Sequence, residues 1–401
     1  MNASTTDRPI PLLDLAALHR PLADELRQAF DRVLTSGQFI LGAEHDAFER
    51  ELATACGTKH AVGVSSGTAA ISVGLQALGV GAGDDVIVPA FTYFATASAV
   101  IHSGARPVFA DVEPVRFGLD PERLEAAITP KTKAIVPVHL YGLACDLTPI
   151  VDLAERRGLA VLEDAAQAIG ATDRGRPVGA TSAGATLSFF PTKNLGALGD
   201  AGAFLTDRDD VAARMRLLRV HGDAGDYRHT AFGTNARLDG LQAALLRVKL
   251  RHLAAWTEAR RRNAALYRET LSGSDVTLPA EPEGALHTYH QFTIRTPRRD
   301  ALQAHLRERG IASRIYYPIP VPAQPCFQET GTPQGGFPVS DRLAKEVLSL
   351  PVGPELTAES IARIARCKPT TGPSKAPSTV RSGCVCRRFA TSATGVFTSS
   401  S

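Results

Sequence analysis

Three short stretches hold residue types that could do chemistry together. Ser65-Ser66-Gly67-Thr68 precedes the helix-forming run AAISVGLQAL. Free N–H groups and hydroxyls at a helix start make an anion cup, and a glycine there lets a ligand approach the backbone. Glu163-Asp164-Ala165-Ala166-Gln167 follows the apolar run 160–162. Such an acidic pair could bind Mg²⁺, cap a helix or hold a protonated ring nitrogen. The third stretch is Ser188-Phe189-Phe190-Pro191-Thr192-Lys193-Asn194-Leu195-Gly196, continuing to Gly199-Asp200-Ala201-Gly202. The chain has 8 lysines against 36 arginines, and one of the few lysines sits in this apolar, glycine-flanked turn. Desolvation lowers a lysine from its ordinary pKa of about 10.4 and makes it a Schiff-base nucleophile.

Each stretch alone also fits a plain structural role: an N-cap, a helix cap, a surface lysine. Together, a phosphate cup, a carboxylate for a pyridinium nitrogen and a lysine for an aldehyde are the three attachments that pyridoxal 5′-phosphate requires. The cluster Phe91-Thr92-Tyr93-Phe94 offers either a flat face for the pyridine ring or core packing.

These residues need a scaffold, and the pattern supplies one. Between 60 and 206, β-branched runs at 60–64, 86–88, 107–110, 134–138, 160–162, 185–189 and 203–205 are mostly separated by amphipathic stretches such as 121–127 and 149–157. Seven strands interleaved with helices predict a largely parallel sheet covered on both faces, with ligands at the strands' C-terminal ends. A helix follows over 211–219, then a long helical stretch from Leu238 to about Leu271. On it Leu238, Leu241, Leu245 and Val248 form one apolar stripe, and Leu246, Leu250 and Leu253 a second. A smaller α+β segment comes next: strand 291–295, helix 299–309, strand 314–317 and helix 340–348, with surface loops at 317–325 and 330–338. The expected organisation is an N-terminal segment (1–30) on the small domain, a large α/β domain (31–240), a bridging helix with a small C-terminal α+β domain (241–366), and a tail (367–401). A helix begins near Ala358 and stops at that tail. Of the tail's 35 residues 13 are Ser or Thr, a composition that predicts disorder.

Charge and composition narrow the function. The 401 residues carry 44 basic and 41 acidic side chains, a net +3. Lys368, Lys375, Arg381, Arg387 and Arg388 lie in a tail without acidic residues, so the body holds 39 basic against 41 acidic groups, or −2. No clustered positive face is available for nucleic acid. The start MNASTTDRPIPLL has no signal-peptide pattern, and no window offers the ~18 apolar residues of a membrane span, so a cytoplasmic location is expected. Single cysteines at 56, 145 and 326 read as small buried hydrophobes or inert thiols, and Cys384-Val-Cys386 lacks zinc spacing. His287 and His290 are close, but no further ligand lies nearby, so no metal is expected. Gly79-Val80-Gly81-Ala82-Gly83 follows a helix and precedes a strand, the reverse of a dinucleotide fingerprint.

From about Leu12 to Arg366 the sequence resembles the sugar aminotransferases of the DegT/StrS type, fold-type-I pyridoxal-phosphate enzymes. The resemblance rests on FILGAEHDAFERELA, the three stretches above, GTNARLDGLQAALLRVKL and EVLSLPVGPELT. It implies Lys193 as the cofactor's lysine and Asp164 as partner of its ring nitrogen. It further implies Gln167 near the ring and its hydroxyl, Tyr93 on the ring face, and Ser66, Gly67, Thr68 and Ser188 around the phosphate. Family members act as homodimers with shared sites, and Asn235 or Arg237 resembles the neighbouring subunit's contribution. The implied reaction moves an amino group from an amino acid, L-glutamate by resemblance, to a keto group of a nucleotide-linked sugar, with 3-keto favoured over 4-keto. A keto-cyclitol acceptor and a non-catalytic regulatory protein of the same fold are the alternatives, and Lys193 argues against the dehydratase branch, which has His there. Ala201 stands where relatives often have Gly, and the tail has no family counterpart. The loop HGDAGDYRHT, with His221, Tyr227 and His229, could touch the sugar nucleotide or be solvated.

Overall fold

The computed structural model describes residues 8–180, 182–328 and 335–367; the tail from 368 on and most of the expected 330–338 loop lie outside them. Seven strands form the large sheet: β1 (His60–Val64), β2 (Asp85–Pro89), β3 (Arg106–Ala110), β4 (Thr132–Ile135), β5 (Ala160–Asp164), β6 (Gly184–Ser188) and β7 (Gly202–Thr206). Their order is β1-β7-β6-β5-β4-β2-β3, and only β7 runs against the rest. Alternation along each strand builds two cores. Val62, Val86, Val88 and Leu162 face one side, and Ala61, Ile87 and Val161 the other. On the first side lies the helix Gly67–Ala77, whose small residues allow close approach. A Cβ on Gly74 would come within 2.6 Å of the Phe204 ring.

The long helical stretch is two helices, Gly240–Leu250 and Leu253–Leu271, separated by Arg251 and His252. Its two stripes have two destinations. Leu241, Leu245 and Val248 of the first pack on the N-terminal helix Ala23–Ser36, while Leu246, Leu250 and Leu253 of the second join the sheet's second core; Leu238, expected on the first stripe, precedes the helix and is buried with the second. The N-terminal segment accordingly divides. Ile10 pairs with Ile311 and joins the C-terminal core, but the helix after it packs on Gly240–Leu250.

In the C-terminal part, β8 (Phe292–Arg295) pairs antiparallel with β9 (Val347–Leu350) beside the helix Arg299–Glu308. Three expectations are corrected here. The helix Pro338–Glu346 ends two residues before the expected Leu348, because Val347 onward is drawn into pairing with β8, with Thr293 and Ser349 hydroxyls 2.8 Å apart across the ladder. Residues 314–317 form no strand; Arg314 makes a single bridge to Ser349 and the chain then turns away. The 317–325 segment is a surface loop only in part: Pro318, Ile319 and Pro325 are exposed, but Pro320, Val321 and Pro322 are buried, and Val321 N donates to the Ala90 carbonyl just past β2. Among the described residues, no helix is long and apolar enough to cross a membrane.

Candidate active site

A cavity of about 370 Å³ opens at the C-terminal ends of β1, β5 and β6 and is closed by His290, Gln291, Tyr316 and Tyr317 from the C-terminal part. β1 delivers Ser66, the N-cap of the helix Gly67–Ala77, whose Oγ accepts from Ala69 N at 3.1 Å. That bond leaves the N–H groups of Gly67 and Thr68 outside the helix ladder, where the helix dipole favours an anion. Ser188, at the end of β6, faces them. A Cβ on Gly67 would fall 2.7 Å from Ser188 Cβ, and one on Gly202 would fall 2.4 Å from the Ser66 carbonyl carbon. Both glycines keep this cradle open.

Asp164 ends β5 on the face of the first core. Its Oδ2 accepts from Thr96 Oγ1 at 2.8 Å, which itself lies 3.0 Å from Thr92 Oγ1, and its Oδ1 accepts from Ala166 N. Three residues on, Gln167 is held from both ends: Oε1 accepts from Tyr141 N at 2.8 Å and Nε2 donates to the Tyr317 hydroxyl at 3.0 Å. Lys193 sits in the turn after β6, and its amine has no hydrogen-bond or ion-pair partner among the described residues. Burial pushes it down to about 8, with the Asp164 charge pulling the other way. The next residue, Asn194, anchors this turn to the C-terminal part through Thr288 O at 3.0 Å and His290 Nδ1 at 3.3 Å. Burial, then the neighbouring Lys193 and Arg260 charges, holds His290 well below the ordinary imidazole range, so it stays neutral.

The cavity therefore brings together Ser66, Gly67, Thr68, Tyr93, Asp164, Gln167, Ser188 and Lys193. In the aromatic cluster, Phe91 is core while Tyr93 is 57% exposed and turned to the cavity, near Tyr317. Ala201 lines the wall. Asn235 and Arg237 do not line this chain's cavity; they lie on the segment bridged to Val220 and Val64. Tyr227 is 89% exposed, its ring against His229, away from the cavity. His287 stacks on Tyr289, and among the described residues no cluster of three or more His, Cys, Asp or Glu could hold a metal. Sequence reasoning missed Thr96, Asn194, Tyr316 and Tyr317, and weighed His290 only for a metal role that it set aside. The one signal for the tyrosines was an aromatic pair directly before a proline, at a point where an extended strand was expected.

The fold is that of the fold-type-I aminotransferases. The solved structure of S. venezuelae DesV in complex with a ketimine intermediate superposes with a TM-score of 0.88 at 44% identity, over 90% of this chain and 97% of that one. The chain belongs to the DegT/DnrJ/EryC1/StrS aminotransferase family, whose model matches residues 21–367. A Geobacillus stearothermophilus relative named pleiotropic regulatory protein is 49% identical over 87% of this chain and 95% of its own length. An Acidithiobacillus ferrooxidans relative, named UDP-N-acetyl-3-dehydro-alpha-D-glucosamine 3-aminotransferase, is 48% identical over 90% of this chain and 97% of its own.

Proposed function

We propose that the chain is a pyridoxal-phosphate-dependent aminotransferase that moves the amino group of an amino acid, L-glutamate by family resemblance, to the C3 keto group of a nucleotide-linked sugar. The observation that carries this reading is the unpartnered Lys193 amine in one cavity with Asp164 and an open helix N-terminus. These residues fit the cofactor at each of its attachments. The N–H groups of Gly67 and Thr68 with the Ser188 hydroxyl would hold its phosphate, Tyr93 would cover the ring face, and Gln167 would meet the ring edge. When bound, pyridoxal phosphate supplies the aldehyde that takes the amino group and the ring that draws off electrons.

The protein's own part is proton handling and orientation. Asp164, fixed by Thr96, would keep a proton on the cofactor's ring nitrogen. Lys193 would take up and then return the proton at the substrate carbon, a role for which an amine lowered to about 8 is suited. Amination at C3 is supported by relatives named for that position, including the one from Acidithiobacillus ferrooxidans. A homodimer with shared sites accounts for exposed apolar Phe30, Leu34, Phe39, Ile40 and Phe232, and for Asn235 and Arg237 lying outside their own chain's cavity.

The test loads the purified protein with glutamate and screens dTDP- and UDP-linked 3-keto and 4-keto sugars for return of the aldehyde-form absorbance. Turnover with a 3-keto sugar is the expected result. Return with a keto-cyclitol alone overturns the acceptor class. Cofactor binding without turnover of any acceptor supports instead a regulatory role, the reading that the Geobacillus relative's name favours.

A further inference from the structure

Glu163, the other half of the acidic pair, has no part in the cavity. Alternation along β5 turns it to the opposite face of the sheet, where it is fully buried. A buried carboxylate is costly unless its oxygens are satisfied. This one receives three donors: His139 Nε2 at 2.9 Å, Gly179 N at 2.9 Å and Ser182 Oγ at 2.6 Å. The His139 ring is saturated as well. Its Nδ1 accepts the Cys145 amide N–H at 3.1 Å, so the ring proton lies on Nε2 and points at Glu163. With both nitrogens engaged, the ring is not available to activate the Cys145 thiol, and the small cavity lined by His139, Cys145 and Glu163 is no hydrolytic site.

What the pair does hold is the backbone serving the other face. His139 N donates to Asp164 O at 3.0 Å, and Asp164 N to Pro137 O at 2.8 Å. The ring's bond to Cys145 closes the loop from His139 to Cys145. At its crest Tyr141, in the left-handed region at φ 59°, gives its N–H to Gln167 Oε1. A non-glycine residue keeps that backbone only where its surroundings enforce it.

We propose that His139 and Glu163 are a positioning pair that acts through the sheet, fixing the Tyr141 turn and thereby the orientation of Gln167 in the cavity. The inference rests on the reading of that cavity as a cofactor site. Without the latch the turn relaxes, Gln167 loses its N–H donor, and its carboxamide rotates away from the Tyr317 hydroxyl.

Two measurements test this. Burial disfavours a charged His139 ring while the Cys145 and Glu163 contacts draw its pKa up, but an Nδ1 proton would meet the Cys145 N–H. Histidine ¹⁵N NMR of the unaltered full-length protein, with His139→Gln identifying the signal, should therefore show His139 as the neutral Nε2–H tautomer from about pH 6 to 9. A doubly protonated ring or the Nδ1–H tautomer overturns the proposal whatever the variants do. The dissociation constant of pyridoxal phosphate, read by equilibrium dialysis, should rise about 5- to 20-fold in Glu163→Gln, similarly in Gln167→Ala, and no further in the double variant. Additive effects, or a lowered melting temperature with unchanged dissociation, overturn it. A wild-type protein that binds no pyridoxal phosphate sinks the functional reading instead. The Gln167 side-chain amide resonance then decides the pair: it should shift in Glu163→Gln, and a fixed resonance overturns it.

Discussion

Lys193 owes its reactivity to where the turn puts it. An amine lowered to about 8 by burial is mostly protonated at pH 7 and becomes a neutral nucleophile as pH rises through that value. The rate at which cofactor-free protein captures pyridoxal phosphate should therefore climb about tenfold per pH unit below 8 and level off above it. Stopped-flow absorbance would show this, and a flat profile from about pH 6.5 to 9 would remove Lys193 from the role. Lys193→Ala should lower kcat by about 10²- to 10⁴-fold or more, the size of a lost general acid–base group. Asp164→Asn keeps the shape and the bond to Thr96 but loses the charge. Its expected loss in kcat is about 30- to 100-fold, or 2–3 kcal/mol, with a smaller change in KM. Gly202→Ala acts without touching a reacting group. Its Cβ meets the Ser66 backbone, so unfolding in urea should show a loss of about 1–3 kcal/mol together with weaker cofactor binding.

Among the elements, the helix Gly240–Leu250 carries an unusual burden: Lys249, 1% exposed, donates to His19 Nε2 at 2.8 Å. Burial alone pushes this lysine down to about 8. In the unfolded chain its pKa is near 10.4, so the folded state gives up its proton first, and stability should rise as pH climbs from about 8 to 10.4. Lys249→Met, close in volume, should add about 1–3 kcal/mol at pH 7. That gain should vanish above about pH 10.5, as denaturant titrations at several pH values would reveal. The same helix shows what was legible. Its apolar stripes announce two packing partners, but the break at Arg251 and His252 has no proline or glycine to mark it, because tertiary packing rather than propensity ends the helix. Val347 and Leu348 read as helix for a related reason: strand pairing of Val347–Leu350 with Phe292–Arg295 decides them, and that partner is some fifty residues away. By contrast, the seven strands of the large sheet carry their own β-branched signal. The chemistry was legible where it sits at those strands' ends, as with Lys193 and Asp164. It was hidden where contacts cross from the C-terminal part, as with Tyr317 on Gln167 and Asn194 on Thr288.

For the whole molecule, the family match ends at residue 367, one residue after the final described helix, Ala358–Arg366. A chain stopped there should keep kcat and KM within about twofold, since the removed Ser/Thr-rich residues lie beyond everything the family match covers; loss of activity in that truncation would give the tail a role. The reversed strand β7 has a consequence for the order of events. It seats Gly202 against Ser66 and joins the phosphate cradle to the lysine turn, pairing His60 with Thr206 and Val64 with Gly202. Those partners lie roughly 140 residues apart along the chain, and closing so large a loop carries an entropic cost that local contacts cannot offset early. Cofactor-binding competence should thus arrive late in refolding, after most helix signal has returned. During synthesis, it cannot arise before residue 206 has left the ribosome.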